Sequence, residues 1–316
     1  MKISPSIIDA GRFSGTRCGS VRFFRKSGLP AHAAIWTAML LLIQVSSGLE
    51  VIQVRNVDGL MGVLKNSPSD IRIQLSPAVY TLSPVGMIDS TCGNCEDPHT
   101  PVDVTVGLLV TGKNIQIVGP AEGTAEIVTG AGYGIFFLNC YECSISGVSI
   151  TGGQRDVDGN ATDAAVVVKQ SSVTITDCTI HDNTGDPATV SEVIVGVMGI
   201  AGRERSHVTI ENNRIIRNSW DGIALYRGAE AVIRDNVIDG VDKARGSTIG
   251  GGRGVGIGVT WDARAVIEGN LVTRYWKGIG LFVDAHATVR ENIVENVLTW
   301  GITLWDADRG RPHGEI

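Results

Sequence analysis

Aromatic residues are scarce in this 316-residue chain, at 5%, and there are only 10 prolines. So little proline excludes collagen-like and proline-rich linker proteins. No apolar run reaches the ~18 residues of a membrane span. Positive charge is in deficit, with 27 Lys and Arg against 33 Asp and Glu; the net charge of −6 argues against a general nucleic-acid binder. A sustained helical period is also missing. Disorder is excluded by a composition that is 43% hydrophobic and 19% charged. What is abundant is glycine, 40 residues, about 13% against a typical ~7%. Together with many Val and Ile, this points to tightly turned β-structure.

Residues 1–30 carry six basic side chains, from Lys2 to Lys26, against one acid, Asp9. An apolar stretch, Ala33 to Val45, follows, and then Ser46-Ser47-Gly48. Basic, apolar, small is the order of a secretory signal. The sequence therefore divides into a targeting segment, 1–48, and one domain, 49–316. The expected destination is extracellular, with no stable membrane span after signal removal; a signal anchor or an organelle transit peptide is the alternative.

The six cysteines include two C-x-x-C pairs, Cys92/Cys95 and Cys140/Cys143. Behind a secretory signal these four are expected to cluster and form two disulfides of open pairing. In a cytosolic chain the same four would bind zinc.

Internal repeats dominate the rest. VTIENNRI (208–215), AVIRDNVI (231–238), AVIEGNLV (265–272) and ATVRENIV (287–294) align without gaps on Asn213, Asn236, Asn270 and Asn292. Two further segments fit with Cys178 and Val148 in the Asn place. A Gly-Ile block lies 14 residues ahead of each anchor: Gly134-Ile135, Gly199-Ile200, Gly222-Ile223, Gly256-Ile257 and Gly278-Ile279, with Ala164-Ala165 in the remaining coil. Gly301-Ile302 opens one more. Length variation is confined to the arc between an anchor and the next Gly-Ile block. Short alternating strands in units of 22 or 23 residues, turning at Gly or Asn, describe a solenoid. The L-x-x-L-x-L frame of leucine-rich repeats is absent, which leaves a parallel β-helix. The Asn column is expected to stack at one corner, and Cys178 to be a small buried group.

This pattern resembles the right-handed parallel β-helix, or pectin-lyase-like, superfamily over residues 50–306. The resemblance implies an all-β, single-stranded right-handed solenoid. The segment 59–83 looks like the short N-terminal capping helix and first strand of such proteins. The polygalacturonase motifs N-T-D, D-D, G-H-G and R-I-K do not occur, nor does the pectate lyase motif R-x-P-x-x-R. Asp97-Pro98-His99-Thr100 matches three of the four residues of an epimerase motif, D-P-H-D, but lies in the cysteine loop.

Four residues after the Gly, the column reads Arg203, Tyr226, Thr260, Phe282, Trp305 and faces outward, with Trp261 beside it. Trp220-Asp221, Trp276-Lys277 and Trp300 precede the Gly in three coils. Trp220, Tyr226, Trp261, Trp276, Phe282 and Trp305 are candidate platforms for sugar rings. Asp221, Lys277, Arg203 and Arg227 are the candidate acids and bases, with a surface ion pair as the rival reading of Asp221 and Lys277. The rival reading is an exposed row that only packs beneath loops 149–163, 179–198 and 237–255. In the first loop, Asp156, Asp158 and Asp163 resemble part of a calcium loop, although no Glu closes it. Asn160-Ala161-Thr162 is a glycosylation sequon. The column Glu211, Arg234, Glu268, Arg290 alternates in sign and reads as a solvated ladder. From Gly301 the next anchor falls at Glu315, and DRGRPHGEI shows no alternation, so the last coil reads as unfinished. Two functions follow: an extracellular protein that binds an acidic polysaccharide and cleaves it, as a lyase by β-elimination or as a hydrolase, or a non-catalytic carbohydrate-binding or adhesive solenoid.

Overall fold

The computed structural model describes residues 49–241 and 254–316. The targeting segment 1–48 and most of the third loop lie outside the described residues. The chain winds into a right-handed parallel β-helix with three sheets. The first sheet stacks Tyr133–Tyr141, Ala164–Lys169, Met198–Arg203, Ile223–Leu225, Val255–Thr260, Lys277–Phe282 and Trp300–Trp305 in parallel. The second includes His207–Glu211, Glu230–Arg234, Arg264–Glu268 and His286–Arg290. The third includes Arg214–Ile216, Val237–Asp239, Leu271–Thr273 and Ile293–Glu295. The long strand Val102–Val118 runs from the first sheet into the second without a turn.

Each sheet turns its Ile and Val rows into one interior cluster that includes Ile135, Ile200, Ile233, Ile267 and Val272. The recurrent Gly before the Ile has a steric cause. A Cβ on Gly222 would lie 2.6 Å from the Gly256 carbonyl oxygen of the next coil. The helix Val57–Leu64, capped by Asn56 Oδ1 accepting from the Gly59 N–H, inserts Leu60 and Leu64 at the N-terminal end. A strand, Glu50–Val54, precedes it, so the strand expected to be first is the second.

The asparagine column stacks as expected between the second and third sheets. Each Oδ1 accepts from the backbone N–H and the Nδ2 of the preceding Asn: Asn236 from Asn213, Asn270 from Asn236, Asn292 from Asn270, all at 2.9–3.0 Å. Cys178 ends the column by donating its N–H to Asn213 Oδ1. Its thiol is buried, and that burial pushes it up to about 12. A second, shorter ladder, Asn183 to Asn218, was not read from the sequence, because only two coils carry it.

Three sequence expectations are corrected by the register. Val166 pairs with Ile200, so Ala165, not Ala164, stands in the Gly column, and that coil is one residue short. Its turn between Lys169 and Ser172 holds two residues where Arg203 to His207 holds three. His313–Glu315 does form a second-sheet strand on His286–Thr288, after an enlarged turn, so Glu315 is not at an anchor position. Finally, the long loops begin after third-sheet strands Ser149–Thr151, Thr179–His181 and Val237–Asp239, and the second contains a helix, Pro187–Val193.

The cysteines do not cluster. Cys92 pairs with Cys95 and Cys140 with Cys143, at Cα separations of 5.4 and 6.1 Å. Each C-x-x-C therefore closes on itself. Cys140 and Cys143 belong to the interior cluster and Cys92 to a separate one, which removes the four-thiolate zinc reading.

Candidate functional site

The outer face of the first sheet carries three columns. One runs Tyr133, Ala164, Met198, Asp221, Val255, Lys277, Trp300, and the middle one Phe136, Val167, Ala201, Ala224, Gly258, Gly280, Thr303. The third runs Leu138, Lys169, Arg203, Tyr226, Thr260, Phe282, Trp305. Along the first four coils this face is covered. Tyr133, Phe136, Val167, Met198, Ala201 and Tyr226 pack in an outer apolar cluster against Cys92, Val102, Val104 and Ala161. The cover is the hairpin Val85–Asp89 with Val102–Val106, the segment 89–100 that connects them, and the end of the 152–163 loop.

Beyond Tyr226 the face opens into a cleft of about 290 Å³. Asn94 lines one side. Trp220, Asp221, Tyr226, Trp276, Lys277, Phe282 and Trp305 line the rest, over a floor of Ala224 and Gly258. Seven of the residues singled out in the sequence thus meet in one place. Lys277 Nζ lies 5.2, 5.5 and 5.9 Å from the ring centroids of Trp276, Trp300 and Phe282. An ammonium over ring faces is held electrostatically by the ring quadrupole. Phe282 and Trp305 pack edge to face at 6.5 Å.

Asp221 is the carboxylate among the described residues of the cleft lining. It is buried, and its Oδ1 accepts from the Val255 N–H at 2.6 Å. Burial pushes its carboxyl up to about 7, against smaller lowering effects of that hydrogen bond and of Lys277. A group that changes charge near neutral pH, beside a fixed cation and aromatic walls, is equipped for proton transfer.

The other candidates are placed elsewhere. Arg203 faces outward but is fully buried under segment 89–100. It donates to Tyr133 Oη and Thr162 Oγ1 at 2.7 Å, to the Thr91 carbonyl at 2.6 Å and to Glu204, and lies 3.2 Å from Asp89. It is a clamp, closed off from the cleft. Arg227 donates to the Cys95 and Glu96 carbonyls and stacks 4.1 Å from the Trp261 ring. Trp261 in turn donates from Nε1 to Asn94 Oδ1 at 3.0 Å. Trp261 is therefore a bracket for the covering segment, outside the cleft lining.

The calcium reading is corrected too. Asp156 accepts from the Thr105 N–H and hydroxyl, and Asp158 from the Asp103 and Asn160 N–H groups. Asp163 pairs with buried Arg155. The three carboxylates hold backbone and guanidinium, and no metal-binding group of three His, Cys, Asp or Glu occurs among the described residues. Asn160 is exposed, whereas the Thr162 of its sequon is buried against Arg203.

One arrangement escaped the sequence reading. Ser149 Oγ is 2.9 Å from His181 Nε2, and His181 Nδ1 is 2.7 Å from Asp182. It has the connectivity of a nucleophile relay. Arg217, however, occupies both carboxylate oxygens of Asp182 at 2.6 Å, and Ser149 is buried. The chain ties three coils together. Adjacent His-Asp was its only sequence signal. The sign-alternating column behaves as expected, with Arg234 and Arg290 at 3.2 and 3.1 Å from Glu268.

These features define a right-handed parallel β-helix of the pectin-lyase-like fold. Residues 110–244 match a family model described as right handed beta helix region. Among solved structures, an exopolygalacturonase of Thermotoga maritima shares the fold at a TM-score of 0.51 and 11% identity, over 82% of this chain and 77% of that one. An alginate lyase of Paenibacillus sp. str. FPU-7 aligns at 0.47 and 15% identity, over 84% and 98%. A pectate lyase of a Bacillus species, solved with trigalacturonate, aligns at 0.46 and 14% identity, over 77% and 69%. No curated protein matches the sequence.

Proposed function

We propose that the cleft binds an acidic polysaccharide outside the cell. The observation that carries this reading is the meeting of Trp276, Phe282 and Trp305 with one ammonium, Lys277, in a single cleft on a rigid scaffold. Rings stack on sugar faces, and Lys277 supplies the countercharge for a uronate carboxylate. Two disulfides support an extracellular location. The test is binding to a panel of uronate and neutral polysaccharides. Trp276→Ala with Phe282→Ala is expected to weaken binding of acidic glycans about tenfold or more, at about 1 kcal/mol for each stacking ring. Unchanged binding of every glycan by a folded double variant would remove the cleft from consideration.

A second reading, cleavage, is favoured by Asp221. With the uronate carboxylate on Lys277, ionised Asp221 takes the proton alpha to that carboxyl. The glycosidic C–O bond beta to it breaks, a carbon–carbon double bond forms, and the leaving oxygen takes a proton from solvent. Since Asp221 titrates at about 7, the rate is expected to rise as pH passes through 7. Asp221→Asn should abolish the ultraviolet-absorbing unsaturated product while glycan binding remains. The same group sets a stability slope. Its folded value lies above its ordinary 3.8, so its contribution is present below about 4 and lost as pH rises through 7. Product formation by Asp221→Asn at the wild-type rate would exclude this mechanism.

A further inference from the structure

The segment 89–100 packs over the outer face of the first sheet through Cys92. Asp89 pairs with Lys169 and Arg203, and Thr91 accepts from Arg203 at 2.6 Å. A Cβ on Gly93 would touch Arg203 and Thr162 of the 152–163 loop at 3.1 Å, so the segment, the loop and the sheet meet at Arg203. Cys92 is buried and fixed by the disulfide to Cys95. The tip is held one and two coils further on, where Arg227 grips the Cys95 carbonyl and Trp261 grips Asn94. Glu96 adds an ion pair with Arg309 at 3.7 Å.

The outward columns that line the cleft continue beneath this strap. Lys169 and Arg203 share the column of Phe282 and Trp305, and Met198 shares that of Asp221 and Lys277. Without the strap the groove would run on over a cationic stretch. With it, the Asp89 carboxylate occupies both cations, and the cleft stops at Asn94, Tyr226 and Asp221.

We propose that the strap 89–100 makes this a chain-end site: it walls one end of the cleft, so that the terminal unit of an acidic polysaccharide seats beside Asp221. The next units then extend along the column past Lys277, whose backbone lies two strand spacings, or about 10 Å, from that of Asp221 while both side chains face the same cleft. An internal stretch of polymer has no path through the wall. This inference rests on the acidic-glycan reading of the same cleft.

The experiment compares a homogeneous oligogalacturonate and an oligoalginate, each free, with a bulky label at either end, and with labels at both ends. Binding is read by tryptophan fluorescence on the full chain. The expected result is that one singly labelled form binds like the free oligomer, whereas the doubly labelled form binds at least about tenfold more weakly. In a strap-opened chain (Arg203→Ala with Cys92→Ser and Cys95→Ser) the doubly labelled form should regain affinity. Should that variant fail to fold, the wild-type comparison still decides. Equal binding of free and doubly labelled oligomers would overturn the chain-end inference alone. No binding of any oligomer would overturn the glycan reading and this inference with it.

Discussion

Replacing Asn236 by alanine is expected to destabilise the protein by about 3–4 kcal/mol, read from urea unfolding. Asn236 sits in the middle of the corner column and is buried. Its Nδ2 donates to the Ile210 carbonyl and to Asn270 Oδ1, and its Oδ1 accepts from the Asn213 N–H and Nδ2. Truncation leaves the Asn213 N–H without its acceptor in a buried corner and removes the donor from two oxygens. An orphaned buried group costs roughly 1–3 kcal/mol. Asn292→Ala removes the same kind of bonds at the half-buried end of the column, where water can replace them, and should cost less than half as much. Equal losses at the two positions would mean that the column is a consequence of the coil geometry and not a cause of it.

The second large effect is expected at Arg203. Arg203→Ala should free the strap 89–100, lowering its local stability by about 3–5 kcal/mol while the coils stay folded. The guanidinium is the one group that joins Thr91, Thr162, Tyr133 and Asp89 at once, and its removal leaves Tyr133 and Asp89 buried with fewer partners. Arg203→Lys should not rescue, because a single ammonium cannot span four acceptors in a fork. Hydrogen exchange of the Cys92 amide, which donates to the Pro98 carbonyl at 3.0 Å, reports the opening directly. An unaltered exchange rate in Arg203→Ala would show that the strap is held by Asp89–Lys169 and the Arg227 contacts instead.

Much of the fold was legible because a solenoid writes its structure into a repeat. Ile210, Ile233, Ile267 and Val289 recur at one place in each coil, and the structure stacks them in one buried row. The Asn anchors were legible for the same reason: an amide that bonds to its counterpart in the next coil must recur in register. Legibility failed where the repeat did. Ala165 was misassigned by one residue because the turn after Lys169 is short, and a turn residue carries no apolar signal. The strand His313–Glu315 has no alternation, and only its pairing with His286–Thr288 reveals it.

The cleft was half legible. Trp276, Lys277, Phe282 and Trp305 were found because outward positions could be counted from the inward Ile. The same count placed Arg203 and Tyr226 on the surface, where they do point outward but lie beneath the strap. The strap belongs to no repeat. It folds back over coils that follow it by more than 100 residues, as in the Thr91–Arg203 bonds, and no local pattern encodes such a return.

The sequence by itself determined the solenoid, its repeat of 22 or 23 residues in the short coils, its asparagine corner and the side of the coil that carries aromatic rings. Each of these is a nearest-neighbour property between coils, and each therefore repeats along the chain. The tertiary structure alone decided where the outer face is covered and where it is open. It also decided which arginines are clamps, that each C-x-x-C closes on itself, and that Asp221 is buried beside Lys277. These outcomes depend on single long-range contacts, each made once, and a contact made once leaves no periodic trace in the chain.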